Sequence, residues 1–320
     1  MSLGIHIPIA APPRDLLTVA QEQTGEATEV AGQAAEATHA EEWGTDAMIH
    51  HVVDSHEWVL GRWTIPLPEL PSFTIAGLEV DLSITKHVLF LVFATILTVA
   101  TMFAAARASR RLDQGEKAPG GILNAMEAFY LYLRDDVVMA NIGHGGERFA
   151  PLVITLFFFI LYANLLGLIP FGATATGNIM VTSALAIISL VVIETAGFAA
   201  LGARGYMKTI FFLPPGLPTL LKPVILLIMA PVELIGKFSK IVALAIRLFA
   251  NMTAGHFVIL ALLGLILTYG SFQPIGLVTI LGSMFLSLFV MFLEIFIAFV
   301  QAYIFAMLTA VFIGLIRHAH

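Results

Sequence analysis

The chain has no cysteine among its 320 residues, which excludes disulfides and thiolate metal sites. Charge is the next shortage. Asp, Glu, Lys and Arg together make up 12% of the chain, against about 25% in an average soluble domain. No basic patch remains outside short loops, so nucleic acid is not expected as a ligand. No Lys/Arg-rich start leads into an apolar run, so no cleavable signal peptide is expected. No G-x-x-x-x-G-K-[ST] loop is present, so the chain itself is not expected to hydrolyse ATP. Inverted repeats, the usual mark of a self-contained secondary transporter, are also missing from the pattern.

What is present is largely hydrocarbon: 58% of residues are hydrophobic and the mean hydropathy is +0.91. Most of the chain must face lipid or other apolar helices. The net charge of −6 arises mainly in the first 60 residues. Residues 1–45, rich in Ala, Glu, Thr and Gln with Arg14 the sole Lys/Arg, predict a disordered acidic extension. Residues 46–86 predict an extracytoplasmic segment with one helical turn and some extended structure. Its His50, His51, Asp54, His56 and Glu57 read as a solvated polar surface in preference to a metal site.

The membrane domain is predicted over 87–317. The first span, His87–Ala106, is 20 residues without an acid, Lys or Arg, enough for one crossing. Arg107, Arg110, Arg111 and Lys117 follow it and mark the cytoplasmic side. Residues 120–142 alternate apolar and charged faces and predict an amphipathic interfacial helix. Further spans are predicted at about 149–170, 179–201, 220–269 and 275–316. Arg148, then Arg204 and Lys208, then Arg317 fall on the inner side each time. Five crossings put the N-terminus outside and the C-terminus in the cytoplasm. The last two stretches far exceed the ~20 residues needed to cross once, so they predict long, strongly tilted helices. The expected fold is an all-α integral membrane protein.

From Ile241 to Ile316, 76 residues, the only formally charged side chains are Arg247 and Glu294. A guanidinium cannot shed its charge, and placing it in hydrocarbon costs roughly 2.5–3.5 kcal/mol or more. Such an ion is a functional site by default. At 100° per residue, Glu233, Lys237, Lys240, Arg247 and Asn251 form one polar stripe. Glu233 lies 14 residues, roughly 21 Å, to the cytoplasmic side of Arg247. His256 lies nine residues beyond Arg247, rotated off the stripe. On the last helix Ser283, Ser287, Glu294, Ala298 and Gln301 share a face. With Gln301 taken as level with Arg247, Glu294 falls near the depth of His256. A carboxylate and an imidazole there would lower each other's charge cost and could relay protons. Lys237 and Lys240 read as interfacial snorkelling residues. Glu194, in the third span, reads either as a water-lined acid or as a partner for Arg204.

The run Arg247-Leu248-Phe249-Ala250-Asn251-Met252-Thr253-Ala254-Gly255-His256 resembles the a subunit of F-type ATP synthases. Pro231-Val232-Glu233-Leu234-Ile235, Asn164-Leu165-Leu166-Gly167-Leu168-Ile169-Pro170 and Leu293-Glu294 with Gln301-Ala302-Tyr303-Ile304-Phe305 resemble it too. The likeness spans roughly residues 85–317. It implies a multi-pass subunit of a bacterial cell membrane, without cofactor or metal. Its implied partners are a ring of c subunits, the b-subunit peripheral stalk and the rest of the complex. Two offset half-channels would load and unload the ring carboxylates, with protons favoured over sodium as the coupling ion. Arg247 takes the place of the family's essential arginine. Glu233, Asn251 and Gln301 match its polar pathway positions. His256 and Glu294 exchange an acid and a histidine found the other way round in some members. Glu194 and Ser287 complete the set of expected pathway residues.

Overall fold

The computed structural model describes residues 54–318, apart from 61–62, 69, 71–72, 76–77, 81–82, 114–120, 170–171, 212–217, 219–220 and 272. The acidic extension, His50 and His51 lie outside the described residues.

The segment preceding the first long helix is built from two antiparallel hairpins. β1 (Glu57–Leu60) pairs with β2 (Trp63–Pro66), and β3 (Phe73–Ile75) pairs with β4 (Leu78–Val80). Trp, Val, Thr, Ile and Phe dominate these short runs, and such side chains favour a pleated strand over a helix. The helical turn expected here does not occur among the described residues; the extended structure does. The first hairpin is tied to the membrane domain through Lys86, whose N–H donates to the Ser55 carbonyl at 2.9 Å. Trp58 packs edge-on against Phe90 at 5.7 Å.

Helix α1 (Lys86–Asp113) runs seven residues past the end of the expected first span. Ala and Arg fill the extra turns, and both are strong helix formers. Helix α2 (Ile122–Tyr132) continues through a π-helical stretch, Leu133–Met139, into a last turn, Ala140–Ile142. Its inner face, Leu133, Val137, Val138 and Ile142, is buried. The seat against the last helix is tight: a Cβ at Gly314 would overlap the Asn141 carbonyl. Helix α3 (Ala150–Gly167) starts with Pro151 in its first turn, where a missing N–H is harmless. It forms the centre of the domain, with Phe157 and Phe158 stacked among Phe129 and Phe299.

Helix α4 (Ile179–Ile210) is capped by Asn178, whose side chain accepts the Met180 N–H at 2.9 Å. Gly202 breaks it with φ 67° and ψ 172°, a conformation that costs a side-chain-bearing residue dearly. Helices α5 (Lys222–Tyr269, 48 residues) and α6 (Pro274–Arg317, 44 residues) form a long antiparallel pair. At 1.5 Å per residue they reach about 72 and 66 Å, more than twice a hydrocarbon core of about 30 Å. Their shared seam buries Ile241, Leu244, Leu248 and Met252 with Ala298, Ala302, Phe305 and Ala306. The protein is thus an all-α multi-pass membrane protein, with five helices long and apolar enough to span the bilayer.

Candidate functional site

Three polar groupings lie along the α5–α6 seam. At its centre the Asn251 amide donates to Gln301 Oε1 at 3.1 Å. Gln301 is therefore level with Asn251, one helical turn nearer the outer end than the assumed level at Arg247. Arg247 lies one turn from this contact along α5. It is exposed, and among the described residues it makes no hydrogen bond or ion pair. The face it occupies carries Ala243, Ala250, Ala254 and Val258, all exposed. The opposite face of the same helix supplies the buried Leu244, Leu248 and Met252. The chain thus packs one side of α5 against itself and leaves the arginine on an uncovered side of small residues.

Towards the C-terminal end of α5, Glu294 is 1% exposed and lies directly against Gly255, where a Cβ would overlap its carboxylate. Gly255 precedes His256, so the expected agreement in depth between His256 and Glu294 holds. A direct hydrogen bond does not join them: neither Glu294 oxygen has a protein partner. His256 Nε2 instead meets the Thr174 hydroxyl. Thr174 belongs to the stretch joining α3 to α4, which folds inward; Ala173, Thr174, Ala175 and Thr176 are all buried. The Thr176 hydroxyl donates to Asn164 Oδ1 at 2.6 Å, and the Asn164 amide reaches the Ala298 carbonyl at 3.4 Å. Gly167 makes room for this fold, since a Cβ there would overlap Thr174. Ser287 Oγ, Thr253 Oγ1 and Gln301 Nε2 are likewise buried without a protein partner.

Thr174 and Thr176 are the residues that sequence reasoning missed. Their signal was weak, a charge-free loop with alternating Ala and Thr read as an outer turn. Nothing in one-dimensional spacing shows that a loop re-enters to meet a helix 82 residues away.

Towards the N-terminal end of α5, a cavity of about 150 Å³ is lined by Glu194, Glu233, Lys237, Lys240, Thr209 and Phe312, among others. That volume holds several waters. Glu194 does not pair with Arg204. Lys237 Nζ lies 3.5 Å from Glu194 Oε2, and the Tyr206 hydroxyl donates to the same oxygen. Lys237 also stands 4.8 Å from the centre of the Tyr206 ring, and Lys240 5.3 Å from that of Phe312. Lys237 is therefore an ion-paired lining residue, whereas the exposed Lys240 keeps the snorkelling geometry.

A central cation on an open face, with polar groups to one side and a charged cavity to the other, suits the handling of an ion inside a membrane. The chain matches the family model described as ATP synthase A chain over residues 88–314. It is 42% identical to an ATP synthase subunit a 2 of Chlorobaculum tepidum, over 93% of this chain and 79% of that one. It is also 42% identical to an ATP synthase subunit a of Pelodictyon phaeoclathratiforme, over 96% and 84%. An ATP synthase subunit a of Anaeromyxobacter dehalogenans is 39% identical over 90% and 75%. With a family-model match over residues 88–314 and relatives 39–42% identical over most of both lengths, the chain belongs to the ATP synthase subunit a family.

Proposed function

We propose that the chain conducts protons through two offset half-channels beside a ring of c subunits and couples their flow to rotation of that ring. The observation that carries this reading is Arg247, unpartnered among the described residues and exposed on a face of small residues. Small side chains let a neighbouring helix approach closely, so a ring carboxylate passing this face would meet the guanidinium. A fixed cation there attracts each deprotonated ring carboxylate and blocks direct passage from one half-channel to the other. The outer half-channel runs by His256, Glu294, Ser287 and Gln301. Their partnerless buried oxygens and amide are groups that water ordinarily satisfies. The inner half-channel is the cavity that Glu233 lines, where a carboxylate receives protons from the ring. Asn251, bonded to Gln301, holds the seam one turn from Arg247. The N-terminus lies outside and the C-terminus, with Arg317, in the cytoplasm. The b-subunit stalk and the remaining subunits hold the chain still while the ring turns.

The test is ATP-driven acidification in vesicles carrying the whole complex. Arg247→Ala abolishes pumping. Arg247→Lys restores little, because a compact ammonium lacks the guanidinium's fork and deprotonates more readily when buried. Pumping near the wild-type rate in Arg247→Ala vesicles refutes the assignment.

A further inference from the structure

Glu194 and Tyr206 are 12 residues apart on α4, a separation of about 18 Å along a straight helix. They touch only because the helix breaks at Gly202 and its last turns fold back over the inner cavity. Thr209, on the same returned segment, lines that cavity too. Lys237 enters from α5, one turn from Glu233, with its side chain 14% exposed against 26% for Glu194. Two residues, Tyr206 from α4 and Lys237 from α5, thus converge on the Glu194 carboxylate at the wall of the space that holds Glu233.

The charges in this space are Glu194 and Glu233 against Lys237 and Lys240. Lys240 lies over the Phe312 ring, two turns from Glu233 along α5, and Lys237, one turn from Glu233, is the nearer cation along the helix. An unpaired ammonium there would repel protons leaving the ring for the cytoplasm, and weak screening in a small cavity magnifies the effect. Glu194 cancels that charge, and the Tyr206 hydroxyl holds the carboxylate in place.

The geometry points to Glu194, Lys237 and Tyr206 as a charge-cancelling clamp that keeps the wall of the inner proton route neutral, with Glu194 acting as a positioning residue and not as a proton carrier. This deepens the proton-conduction reading and rests on it. The clamp explains why α4 is bent back at Gly202, and why a lysine stands in the wall of a route for cations.

The experiment compares Glu194→Gln, Lys237→Met, the double variant Glu194→Gln/Lys237→Met and the exchange Glu194→Lys/Lys237→Glu. All are measured in the whole complex by ATP-driven acidification, normalised to the amount of this chain assembled with the ring. Glu194→Gln slows pumping by roughly three- to tenfold, the effect of about one uncancelled charge at moderate dielectric. The double variant and the exchange recover most of the rate, although they keep none of the original groups in place. Tyr206→Phe has a smaller effect in the same direction. Recovery separates charge balance from mere support of the fold, which the exchange would damage further.

A double variant as slow as Glu194→Gln means that Glu194 carries protons, and overturns the clamp. Single variants at the wild-type rate overturn it as well. Arg247→Ala run alongside separates the two readings: if it abolishes pumping while the clamp variants have no effect, the clamp alone is wrong. If Arg247→Ala pumps normally, the conduction reading itself falls. Should Glu194→Gln fail to assemble, Lys237→Met and the exchange decide the matter by the same comparison.

Discussion

At Gly255 a single methyl group is too much. A Cβ there would overlap the Glu294 carboxylate, so the glycine is what lets a buried acid lie flat against α5 beside His256. Gly255→Ala must push Glu294 off the seam or part the helices, and overpacking of this kind costs about 1–3 kcal/mol. The expected outcome is a complex that assembles but pumps several-fold more slowly, read by acidification per assembled complex. Gly236, where a Cβ meets nothing within 4 Å, is the control, and Gly236→Ala leaves the rate unchanged. Equal rates for the two alanine variants would sink the argument. The neighbouring His256 shows the same dependence on shape: its ring is turned to Thr174, so coupling to Glu294 passes through something other than a direct bond.

At the scale of elements, one carboxylate adds to the backbone bond and ring contact that hold the first hairpin against α1. Asp54 Oδ1 accepts the His87 backbone N–H at 3.1 Å and lies 3.3 Å from His87 Nδ1. Partial burial pushes the Asp54 carboxyl up, but hydrogen bonds from the His87 side chain and backbone outweigh it and bring the value down to about 2 from the usual 3.8. A depressed value stabilises the folded form above the unfolded value and stops doing so as pH falls through the folded one. The hairpin's hold on α1 therefore weakens between about pH 4 and pH 2. Hydrogen exchange at the His87 amide measures it: protection drops across that window in the wild type and is already low near pH 6 in Asp54→Asn. Protection that stays flat from pH 6 to 2 would count against the clamp. Elsewhere the elements match the spans read from hydropathy, and their differences have local causes. α1 overruns its predicted end because nothing in its Arg-rich last turns stops a helix, whereas α4 resumes beyond its predicted end after the break at Gly202.

For the molecule as a whole, the proposed function requires the two polar routes to open to opposite sides. The absence of native cysteine makes this directly testable with a charged, membrane-impermeant thiol reagent. Cysteine at position 233 reacts from the cytoplasmic side, whereas cysteine at 256 or 294 reacts from the outside. Labelling of all three from a single side contradicts two half-channels. The same experiment reports the orientation of the chain, since it assigns the outer end of the seam independently of Lys/Arg placement. The uncovered face of α5 makes the further point that this fold is incomplete alone. Ala243, Ala250, Ala254 and Val258 are exposed on the face of Arg247, and membrane helices bearing a charge ordinarily turn it towards protein or water.

The sequence by itself determined the class of the protein, the number of spans and the isolation of Arg247 and Glu294. Hydrocarbon length and the cost of burying charge leave few alternatives, and both are read along one dimension. It also placed Glu233, Arg247 and Asn251 on one stripe, because helical periodicity is local. Register between α5 and α6 was decided only in three dimensions, where packing at Gly255 and the Asn251–Gln301 bond set it one turn from the assumed level. The same is true of the partners of Glu194, His256 and Asn164. Each partner is reached through a backbone event, the break at Gly202 or the inward fold of residues 173–176. Such events depend on close approach between distant segments, which no periodicity in a single chain records.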